Sequence, residues 1–471
     1  MEKIKIKFGT DGWRAIIGQE FTFDHVEQVA QAYADLISPR LQSASPIPLG
    51  FDRRFLSEDF AKAFASVLAA NGLPVLISQG YCPTPCISWM TKFTGAPGGV
   101  MITASHNPYQ WNGIKFKESY GGSASPELTT RVENKIQENG DNTPRKISFE
   151  EAVQKKLITY FDPHKDYVGQ LKSLLNLSKI QQANWKIAYD PLFGAGTGFI
   201  EKVLDRPVRE IHSEANPGFG GLNPEPIEKN IGALMALVAR EKMDVGITTD
   251  GDADRIGAVD ESGRFVNPHQ ILALLLQHMM EEGGMGEVVK TVSTTRMIDR
   301  LAAKKGLKVH ETPIGFKHIC SKFLEIKPMI GGEESGGIGI PSHVYERDGL
   351  LAGLMLLEIM ASKKKRLGEL LADLTRDIGP FFFQRDDIHL TEKNTDQLRE
   401  KMMGITLSKV GPLKVLETNR LDGTKFLLED ESWLLIRLSG TEPLVRLYAE
   451  SSDPTRVKQL IQEGRNLLGI S

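Results

Sequence analysis

The sequence has few cysteines and no long apolar run. Its 471 residues include only Cys82, Cys86 and Cys320, an odd number that cannot form a complete disulfide framework. We therefore expect a reducing, cytoplasmic compartment. The most apolar stretch, residues 349–361, is too short for a bilayer and contains Glu358, so it predicts a buried helix instead.

The sequence also lacks an excess of either charge. It carries 57 Lys and Arg against 60 Asp and Glu, a formal net charge of -3, which gives no support to a nucleic-acid or membrane surface. Residues 1–7 alternate charged residues with Ile and have no apolar signal-peptide region, so they predict a first strand. We expect small-molecule partners and no export.

Two of the cysteines lie close together. Cys82 and Cys86 flank a Pro-Thr-Pro segment, a spacing that could suggest a redox or zinc site. No second Cys or His pair lies nearby in the sequence. We therefore expect both to be packing or loop residues.

The length and the apolar pattern predict several α/β units. A chain of 471 residues exceeds one ordinary core and corresponds to roughly three to four domains. Strand-like runs alternate with amphipathic helix-like runs over about the first 375 residues, as in residues 47–51 before 58–71 and residues 288–292 before 297–305. The similar order of these segments suggests a threefold domain repeat.

The sequence divides into four predicted domains. Residues 1–148, 149–257 and 258–376 are expected to form α/β domains, because polar or acidic loops separate them. Residues 377–471 begin near a Gly-Pro pair and predict a smaller α+β domain. Residues 381–384 and 433–437 are strand-like in this region, and residues 395–403 and 454–468 are helix-like.

A first candidate loop follows the strand-like residues 98–102. It presents Ser105 beside His106 and Asn107, before Pro108 ends regular structure. Serine is a weak nucleophile unless a base, a metal or an installed phosphate assists it. Lys115 lies a short distance along the chain. An ordinary turn that uses Ser105 and Asn107 as backbone partners is the alternative.

A second candidate loop contains three carboxylates. Asp250, Asp252 and Asp254 follow a strand-like run, and an extended backbone can aim all three at one point. Convergent carboxylates repel one another without a cation, so we expect a hard divalent ion, Mg²⁺. An EF-hand-type calcium loop would place Glu261 at position twelve. However, Arg255 occupies the sixth position, where that loop needs glycine. A solvated acidic turn is the other alternative.

A third candidate loop is acidic and framed by glycines. It spans residues 331–337 and contains Glu333 and Ser335. Glycines let the backbone approach a ligand, and a carboxylate with a hydroxyl suits the vicinal hydroxyls of a sugar. A tight surface turn would also explain this segment.

A fourth candidate loop is suited to an anion. Arg437 offers a bidentate fork for phosphate, Ser439, Gly440 and Thr441 add donors in a turn, and Arg446 follows. A hydrophilic hairpin loop is the alternative.

The four loops have one explanation in common. Transfer of phosphate on a sugar requires a serine acceptor, a metal-binding loop, a loop that binds sugar hydroxyls and a loop that binds phosphate.

These motifs carry a resemblance to a known family. From Phe-Gly-Thr-Asp-Gly-Trp-Arg at residues 8–14, through the three loops, to Arg-Leu-Ser-Gly-Thr-Glu-Pro at residues 437–443, the chain resembles the α-D-phosphohexomutases over essentially its full length. The resemblance implies four domains around a central cleft, three similar α/β domains with mixed sheets and a C-terminal α+β domain.

The resemblance also implies roles for the candidate residues. Ser105 would carry a phosphate and share Mg²⁺ with Asp250, Asp252 and Asp254. Glu333 and Ser335 would read sugar hydroxyls. The residues expected to line the phosphoserine are Arg14, His106, Lys115 and Arg255. Those expected to hold the other phosphate are Arg437, Ser439, Gly440, Thr441 and Arg446. Lys115 is the preferred acid or base in the first set.

The implied reaction is the interconversion of a hexose 1-phosphate and a hexose 6-phosphate. Ser105 would pass its phosphate to the sugar, and the resulting 1,6-bisphosphate would turn end for end before returning the other phosphate. Glu334 after Glu333, with Gly315 and Lys317, looks more like glucose-directed members than glucosamine or mannose enzymes. We expect glucose 1,6-bisphosphate as activator and intermediate, and a monomer or homodimer.

Other functions are compatible with the same loops. A glucose-1,6-bisphosphate synthase would recharge Ser105 from another donor, such as fructose 1,6-bisphosphate, and release the intermediate. A phosphomannomutase, a non-catalytic sugar-phosphate sensor and a metal-dependent phosphatase with a serine nucleophile are less favoured, because Ser105 and the acidic loop are intact and the sugar and phosphate loops are both present.

Overall fold

The structure is a computed structural model. It describes residues 6–9, 11–38, 45–390, 398, 402, 404–438 and 444–469. The strand predicted for residues 1–7 falls mostly outside these ranges, and its described residues, Ile6 and Lys7, are not in a strand. The helix predicted for residues 395–403 also lies largely outside them.

The first unit is a six-stranded mixed sheet with helices. Its strands are β1 (Trp13–Ile16), β2 (Ile47–Phe51), β3 (Val75–Ser78), β4 (Gly98–Ile102), β5 (Trp111–Glu118) and β6 (Ile158–Phe161), in the order β1-β5-β4-β2-β3-β6. The helices are α1 (Phe23–Ile37), α2 (Ser57–Ala70), α3 (Thr84–Thr94), α4 (Pro126–Asn139) and α5 (Phe149–Gln154). Every residue of β2 and β4 is buried, as expected for parallel central strands.

The second unit contains a five-stranded mixed sheet. Its strands are β7 (Ile187–Asp190), β8 (Arg209–Glu210), β9 (Val245–Thr249), β10 (Ile256–Val259) and β11 (Phe265–Val266), in the order β11-β10-β9-β7-β8. The α-helices of this region are α6 (Pro163–Ser173), α7 (Leu177–Ala183), α8 (Phe199–Leu204) and α9 (Gly232–Glu241), with short 3₁₀ turns at Phe219–Gly221 and Glu228–Asn230. The antiparallel pair β9–β10 flanks the acidic loop.

The third unit contains a four-stranded mixed sheet. Its strands are β12 (Val288–Thr291), β13 (Val309–Thr312), β14 (Ile330–Gly332) and β15 (Ile338–Gly339), in the order β13-β12-β14-β15. The helices are α10 (Pro268–Glu281), α11 (Met297–Lys304), α12 (Phe316–Ile326), α13 (Gly349–Lys363) and α14 (Leu367–Ile378). The sugar loop lies between β14 and β15.

The fourth unit is an antiparallel sheet with a helix. Its strands are β16 (Phe382–His389), β17 (Lys409–Val410), β18 (Leu413–Asn419), β19 (Thr424–Leu428), β20 (Trp433–Leu438) and β21 (Leu444–Ser451), in the order β16-β21-β20-β19-β18-β17. The helix α15 (Pro454–Leu468) packs on this sheet. Three mixed α/β units and one α+β unit confirm the predicted fold class.

Helix α13 shows how the core positions the site. Asp348 caps its first turn by accepting from the backbone N of Leu351, and the helix is buried nearly all round because its residues are almost all apolar. A Cβ at Gly353 would lie 2.8 Å from Cγ2 of Ile247, so glycine lets the helix approach β9 closely. Helix α13 therefore packs directly against β9, the strand that leads into the acidic loop. The buried helix predicted for residues 349–361 is confirmed.

Sheet pairing crosses two of the predicted domain boundaries, which stay predictions. Strand β6 pairs with β3 in the first sheet, although it lies after residue 148. The pair β10–β11 extends the second sheet to Val266, beyond residue 257.

All three cysteines are buried, and none forms a disulfide bond. Within the described ranges, every helix is too short or too polar to cross a membrane.

Candidate functional site

The serine loop follows β4 and touches the acidic loop. Ser105 is buried, has a φ of 54°, and donates a hydrogen bond of 2.9 Å from its Oγ to Oδ2 of Asp250. A Cβ at Gly251 would lie 2.4 Å from the carbonyl oxygen of Ser105. The two loops therefore meet through their backbones, and glycine is required at position 251. This places the predicted acceptor hydroxyl beside the predicted metal ligands.

The acidic loop brings three buried carboxylates together. Oxygens of Asp250, Asp252 and Asp254 lie within 4.8 Å of one another. Oδ1 of Asp250 accepts from the backbone N of Asp254 at 3.0 Å and of Arg255 at 3.2 Å. Oδ2 of Asp252 accepts from Oγ1 of Thr84 at 2.5 Å. The predicted convergence of the carboxylates is confirmed, and backbone or side-chain donors fix their orientation.

The remaining oxygens of this cluster fit a divalent cation. Oδ1 of Asp252 and Oδ1 of Asp254 are buried, and no donor in the described part of the chain contacts them. Burial, followed by the neighbouring Asp254 and Asp252, raises the pKa of Asp250 well above its ordinary value. Buried, unpaired carboxylate oxygens are costly, and a hard cation is their natural ligand. The donor set is therefore suited to magnesium.

Lys115 lies among carboxylates from two units. Its Nζ is 2.7 Å from Asp11 and 2.8 Å from both Asp252 and Asp254, and its side chain is 1% exposed. Burial lowers the pKa of Lys115, but the three carboxylates outweigh burial, so the pKa lies above its ordinary value. The ammonium is therefore held in its charged form.

His106 belongs to the serine loop, and the charges of Arg14 and Arg255 act on it. Burial, followed by the charges of Arg255 and Arg14, holds the pKa of His106 well below its ordinary value, so the imidazole is neutral at neutral pH. Its buried Nδ1 has no hydrogen-bond partner among the described residues. Arg14 donates to Oδ1 of Asn107 at 2.7 Å, and Arg255 faces Glu225 at 3.5 Å.

The sugar loop is a tight turn centred on a buried carboxylate. The backbone N of Glu333 donates to the carbonyl of Gly337 at 2.9 Å, with Ser335 half-buried between them. Oε1 of Glu333 accepts from the backbone N of Gly315 at 3.1 Å, and Oε2 from Arg347 at 3.3 Å. Burial raises the pKa of Glu333 to about 7, although Arg347 opposes the shift.

Residues 314 and 315 connect the sugar loop to Arg437 of the fourth unit, because Gly315 contacts Glu333 and Ile314 contacts Asp422. Lys317, in the first turn of α12, is half-buried, and burial lowers its pKa. Arg437 on β20 lies directly opposite Arg446 on β21, and its Nε is 2.9 Å from Asp422. Asp422 also accepts from the backbone N of Ile314 at 2.9 Å, which joins Arg437 to the third unit.

The turn of the predicted phosphate loop, with Ser439, Gly440 and Thr441, lies outside the described residues. The two arginines that flank the turn are described, and Arg446 faces Asp387 at 3.7 Å.

Sequence reasoning missed two residues that join the loops. Asp11 lay within the motif at residues 8–14 but received no role. Arg347 contacts Asp11, Oδ2 of Asp254 at 2.8 Å and Glu333. Its guanidinium therefore links the first, second and third units. The only signal in the sequence was a charged run, Glu-Arg-Asp, directly before the apolar helix α13.

Four family models match successive parts of the chain. They describe the phosphoglucomutase/phosphomannomutase alpha/beta/alpha domains I, II and III and the C-terminal domain of the same family. The matched residues are 5–143, 165–263, 267–378 and 395–467, in that order.

Whole proteins and a solved structure are also similar to the chain. A phosphoglucomutase/phosphomannomutase of Thermococcus kodakarensis is 30% identical over 464 residues, covering 98% of each chain. A phosphoglucosamine mutase of Acetivibrio thermocellus is 31% identical, covering 95% of each. The crystal structure of a protein described as a phosphomannomutase, from Thermus thermophilus, matches with a TM-score of 0.86 at 35% identity, covering 99% of each. These descriptions name different sugars.

Proposed function

The chain belongs to the phosphoglucomutase/phosphomannomutase family, and from that premise we propose that it interconverts glucose 1-phosphate and glucose 6-phosphate through a phosphoserine at Ser105. Its membership makes it a phosphohexomutase, an intramolecular phosphotransferase. The observation that carries the phosphoserine proposal is the 2.9 Å contact between Oγ of Ser105 and Asp250. It puts an acceptor hydroxyl against a carboxylate cluster suited to a cation.

Asp250, Asp252 and Asp254 are the proposed magnesium ligands, together with an oxygen carried on Ser105. Bound magnesium would supply charge neutralisation for the phosphoryl group. The chain holds these carboxylates by donors on their other side, from Thr84, Lys115 and the loop backbone. The ligand oxygens are therefore preorganised.

The cations around Ser105 are proposed to hold the phosphate oxygens. Arg14 and Arg255 supply forks for them. The buried Nδ1 of His106 has no hydrogen-bond partner among the described residues, whereas Nζ of Lys115 lies 2.8 Å from both Asp252 and Asp254. We therefore propose that His106 accepts the proton of the attacking hydroxyl and that Lys115 acts as a countercharge. From the sequence, Lys115 was the preferred acid or base.

The far side of the site is proposed to hold the sugar and the phosphate that does not react. Glu333 and Ser335 would accept from and donate to sugar hydroxyls. The backbone N of Gly315 contacts Glu333, and Lys317, two residues further along, would bind the sugar or its phosphate. The arginine pair and the predicted phosphate loop would bind the distal phosphate, with Arg437, Arg446, Ser439, Gly440 and Thr441 as its donors.

Glucose is favoured over an amino sugar by the residue that follows Glu333. Glu334 stands where glucosamine-directed members usually have Gln, and its Oε2 accepts from Oγ of Ser293 at 2.6 Å. The side chain of Glu334 is thereby fixed next to Glu333, the carboxylate proposed to bind the sugar. Related proteins named for glucosamine and mannose make the choice of sugar the first property to test.

The test compares substrates and follows the bisphosphate. The 1-phosphates of glucose, glucosamine and mannose are supplied with Mg²⁺, with and without glucose 1,6-bisphosphate or fructose 1,6-bisphosphate, and the products are separated. We expect the highest kcat/KM for glucose 1-phosphate and glucose 6-phosphate as the main product. A higher kcat/KM for another sugar would overturn the glucose assignment. Accumulation of bisphosphate as the main product would instead support the synthase.

A further inference from the structure

Arg54 is a buried arginine that binds the backbone of the serine loop. It follows β2 closely in the chain, and the residue is only 3% exposed. Its guanidinium donates to four backbone carbonyls, three in that loop and one at the first residue of β5, at distances of 2.6 to 3.0 Å. The four acceptors are Ser105, Asn107, Pro108 and Trp111.

Asp52 ties the same arginine to the other side of Ser105. Its Oδ2 lies 3.2 Å from Nε of Arg54 and accepts from Oγ1 of Thr103 at 2.6 Å. Oγ1 of Thr103 in turn accepts from the backbone N of Ser105 at 2.9 Å. The amide and the carbonyl of Ser105 are therefore both held by one buried network built on Arg54 and Asp52.

The backbone of Ser105 needs such a restraint. Its φ of 54° lies in the left-handed region, which residues other than glycine and asparagine rarely adopt. Such conformations persist only where the surroundings determine them, and they occur often at functional sites. In this conformation Oγ points at Asp250. Relaxation to the ordinary region would rotate Oγ away from the carboxylates.

We propose that Arg54 is a positioning residue that holds Ser105 in the left-handed conformation that aims its hydroxyl at the metal-binding carboxylates. Only a planar fork with several donors can serve four carbonyls at once, and lysine cannot. Arg54 also lies 4.9 Å from the ring centroid of Phe219, which anchors the network on the second unit. The inference rests on the proposed function, because the aim of the hydroxyl matters only if Ser105 carries the phosphate.

The test uses Arg54→Ala and Arg54→Lys in the full chain. Ser105 is charged with glucose 1,6-bisphosphate, and the added phosphate, about 80 Da, is followed by intact mass, beside kcat, KM and thermal unfolding. We expect both variants to lose about 100-fold or more in kcat and in the rate of Ser105 phosphorylation, with KM within about threefold of the wild type. Added guanidinium ion should restore part of the rate in Arg54→Ala only.

Arg53→Ala is the matched control. Arg53 donates to Oγ1 of Thr197 at 2.6 Å and to the carbonyl of Ser213 at 3.0 Å, and it has no contact with the serine loop among the described residues. We expect it to lose comparable thermal stability while it keeps the wild-type rate of phosphorylation.

The outcomes separate this inference from the proposed function. A wild-type chain that gains no phosphate on Ser105 defeats the proposed function itself. If the wild type is phosphorylated on Ser105 and Arg54→Lys is phosphorylated at the same rate, the positioning role of Arg54 is overturned. If Arg54→Ala fails to fold, the folded Arg54→Lys variant decides the question. A lower rate that merely follows the loss of stability, as Arg53→Ala would reveal, also overturns it.

Discussion

At the serine end of the site, Lys115 touches three carboxylates, whereas at the arginine end Arg437 lies directly opposite Arg446 on the neighbouring strand. The serine end comprises the serine and acidic loops, and the arginine end comprises β20, β21 and the start of α12. At the serine end, Lys115 and Arg347 each contact more than one carboxylate. At the arginine end, two arginines lie opposite each other, and each also faces a carboxylate, Asp422 for Arg437 and Asp387 for Arg446.

The difference separates the tasks of the two ends. Like charges placed directly opposite on neighbouring strands destabilise a sheet, so a bound anion would relieve the arginine pair. The serine end holds its carboxylates and Lys115 in place by several buried contacts, so it needs little rearrangement during phosphoryl transfer. We infer that mutations at the serine end lower kcat, and that those at the arginine end raise KM.

The largest effect should come from the acceptor itself. We expect Ser105→Ala to reduce isomerisation by at least about 10⁴-fold, because alanine has no hydroxyl to carry the phosphate. Coupled assay of glucose 6-phosphate and intact-mass measurement check this, and the added mass of about 80 Da should disappear. Ser66→Ala, at a buried serine of α2, should retain activity. Undiminished isomerisation by Ser105→Ala would refute the phosphoserine.

The second-largest effect should come from the loss of one of the proposed metal-binding carboxylates. We expect Asp252→Asn to weaken Mg²⁺ binding by about 10- to 100-fold in calorimetry, and EDTA to abolish wild-type activity until Mg²⁺ is restored. Asp260→Asn changes a buried aspartate of the turn after β10 and should leave Mg²⁺ affinity unchanged. Unaltered affinity in Asp252→Asn would remove Asp252 from the ligand set.

The arginine end should show the opposite kinetic pattern. We expect Arg437→Ala to raise KM by about 10- to 100-fold, the value of one charge-assisted contact, while kcat changes little. Steady-state kinetics with glucose 1-phosphate measure both constants. Arg456→Ala, on α15, is the control from the same unit. A fall in kcat without a change in KM would erase the distinction between the two ends.

The smallest predicted effect concerns the pH dependence of the sugar loop. The pKa of Glu333 is raised to about 7, so its carboxylate is ionised above that pH and protonated below it. We expect kcat/KM to fall as the pH drops below about 7, and Glu333→Gln, about tenfold less active at high pH, to lose this dependence. Rate profiles of the two proteins provide the measurement.

The raised pKa of Glu333 also predicts how the free energy of unfolding changes with pH. The folded carboxyl keeps a proton that the unfolded chain has released, so the free energy of unfolding should fall as the pH rises from the ordinary glutamate pKa to about 7, and level off above it. Glu333→Gln should remove that slope in urea titrations. A slope that persists would assign it to other groups.

Local patterns were enough to predict much of the fold. The strand predicted for residues 47–51 coincides with β2 (Ile47–Phe51), and the helix predicted for residues 454–468 coincides with α15 (Pro454–Leu468). The convergence of Asp250, Asp252 and Asp254 was also predictable, because all three lie on one short loop between strands. Each of these inferences needed only neighbours in sequence.

Contacts between distant segments were not predictable. Arg347 and Asp11 are 336 positions apart, and no local rule indicates that a charged residue before an apolar helix will reach the first unit. Arg54 is one member of an Arg-Arg pair in the sequence, and only the folded chain shows the serine loop closing over it. Strand β6 joins the first sheet only through its pairing with β3. Tertiary packing alone determines such features.

Gly251 has a consequence for relatives of this chain. Its missing side chain is what allows the acidic loop to lie against the carbonyl of Ser105. A relative that keeps every carboxylate and the serine but carries a larger residue at this position could not bring the two loops together in this way. Position 251 is therefore a simple criterion for screening genomes, one that separates chains able to assemble this junction from those that retain only its motifs.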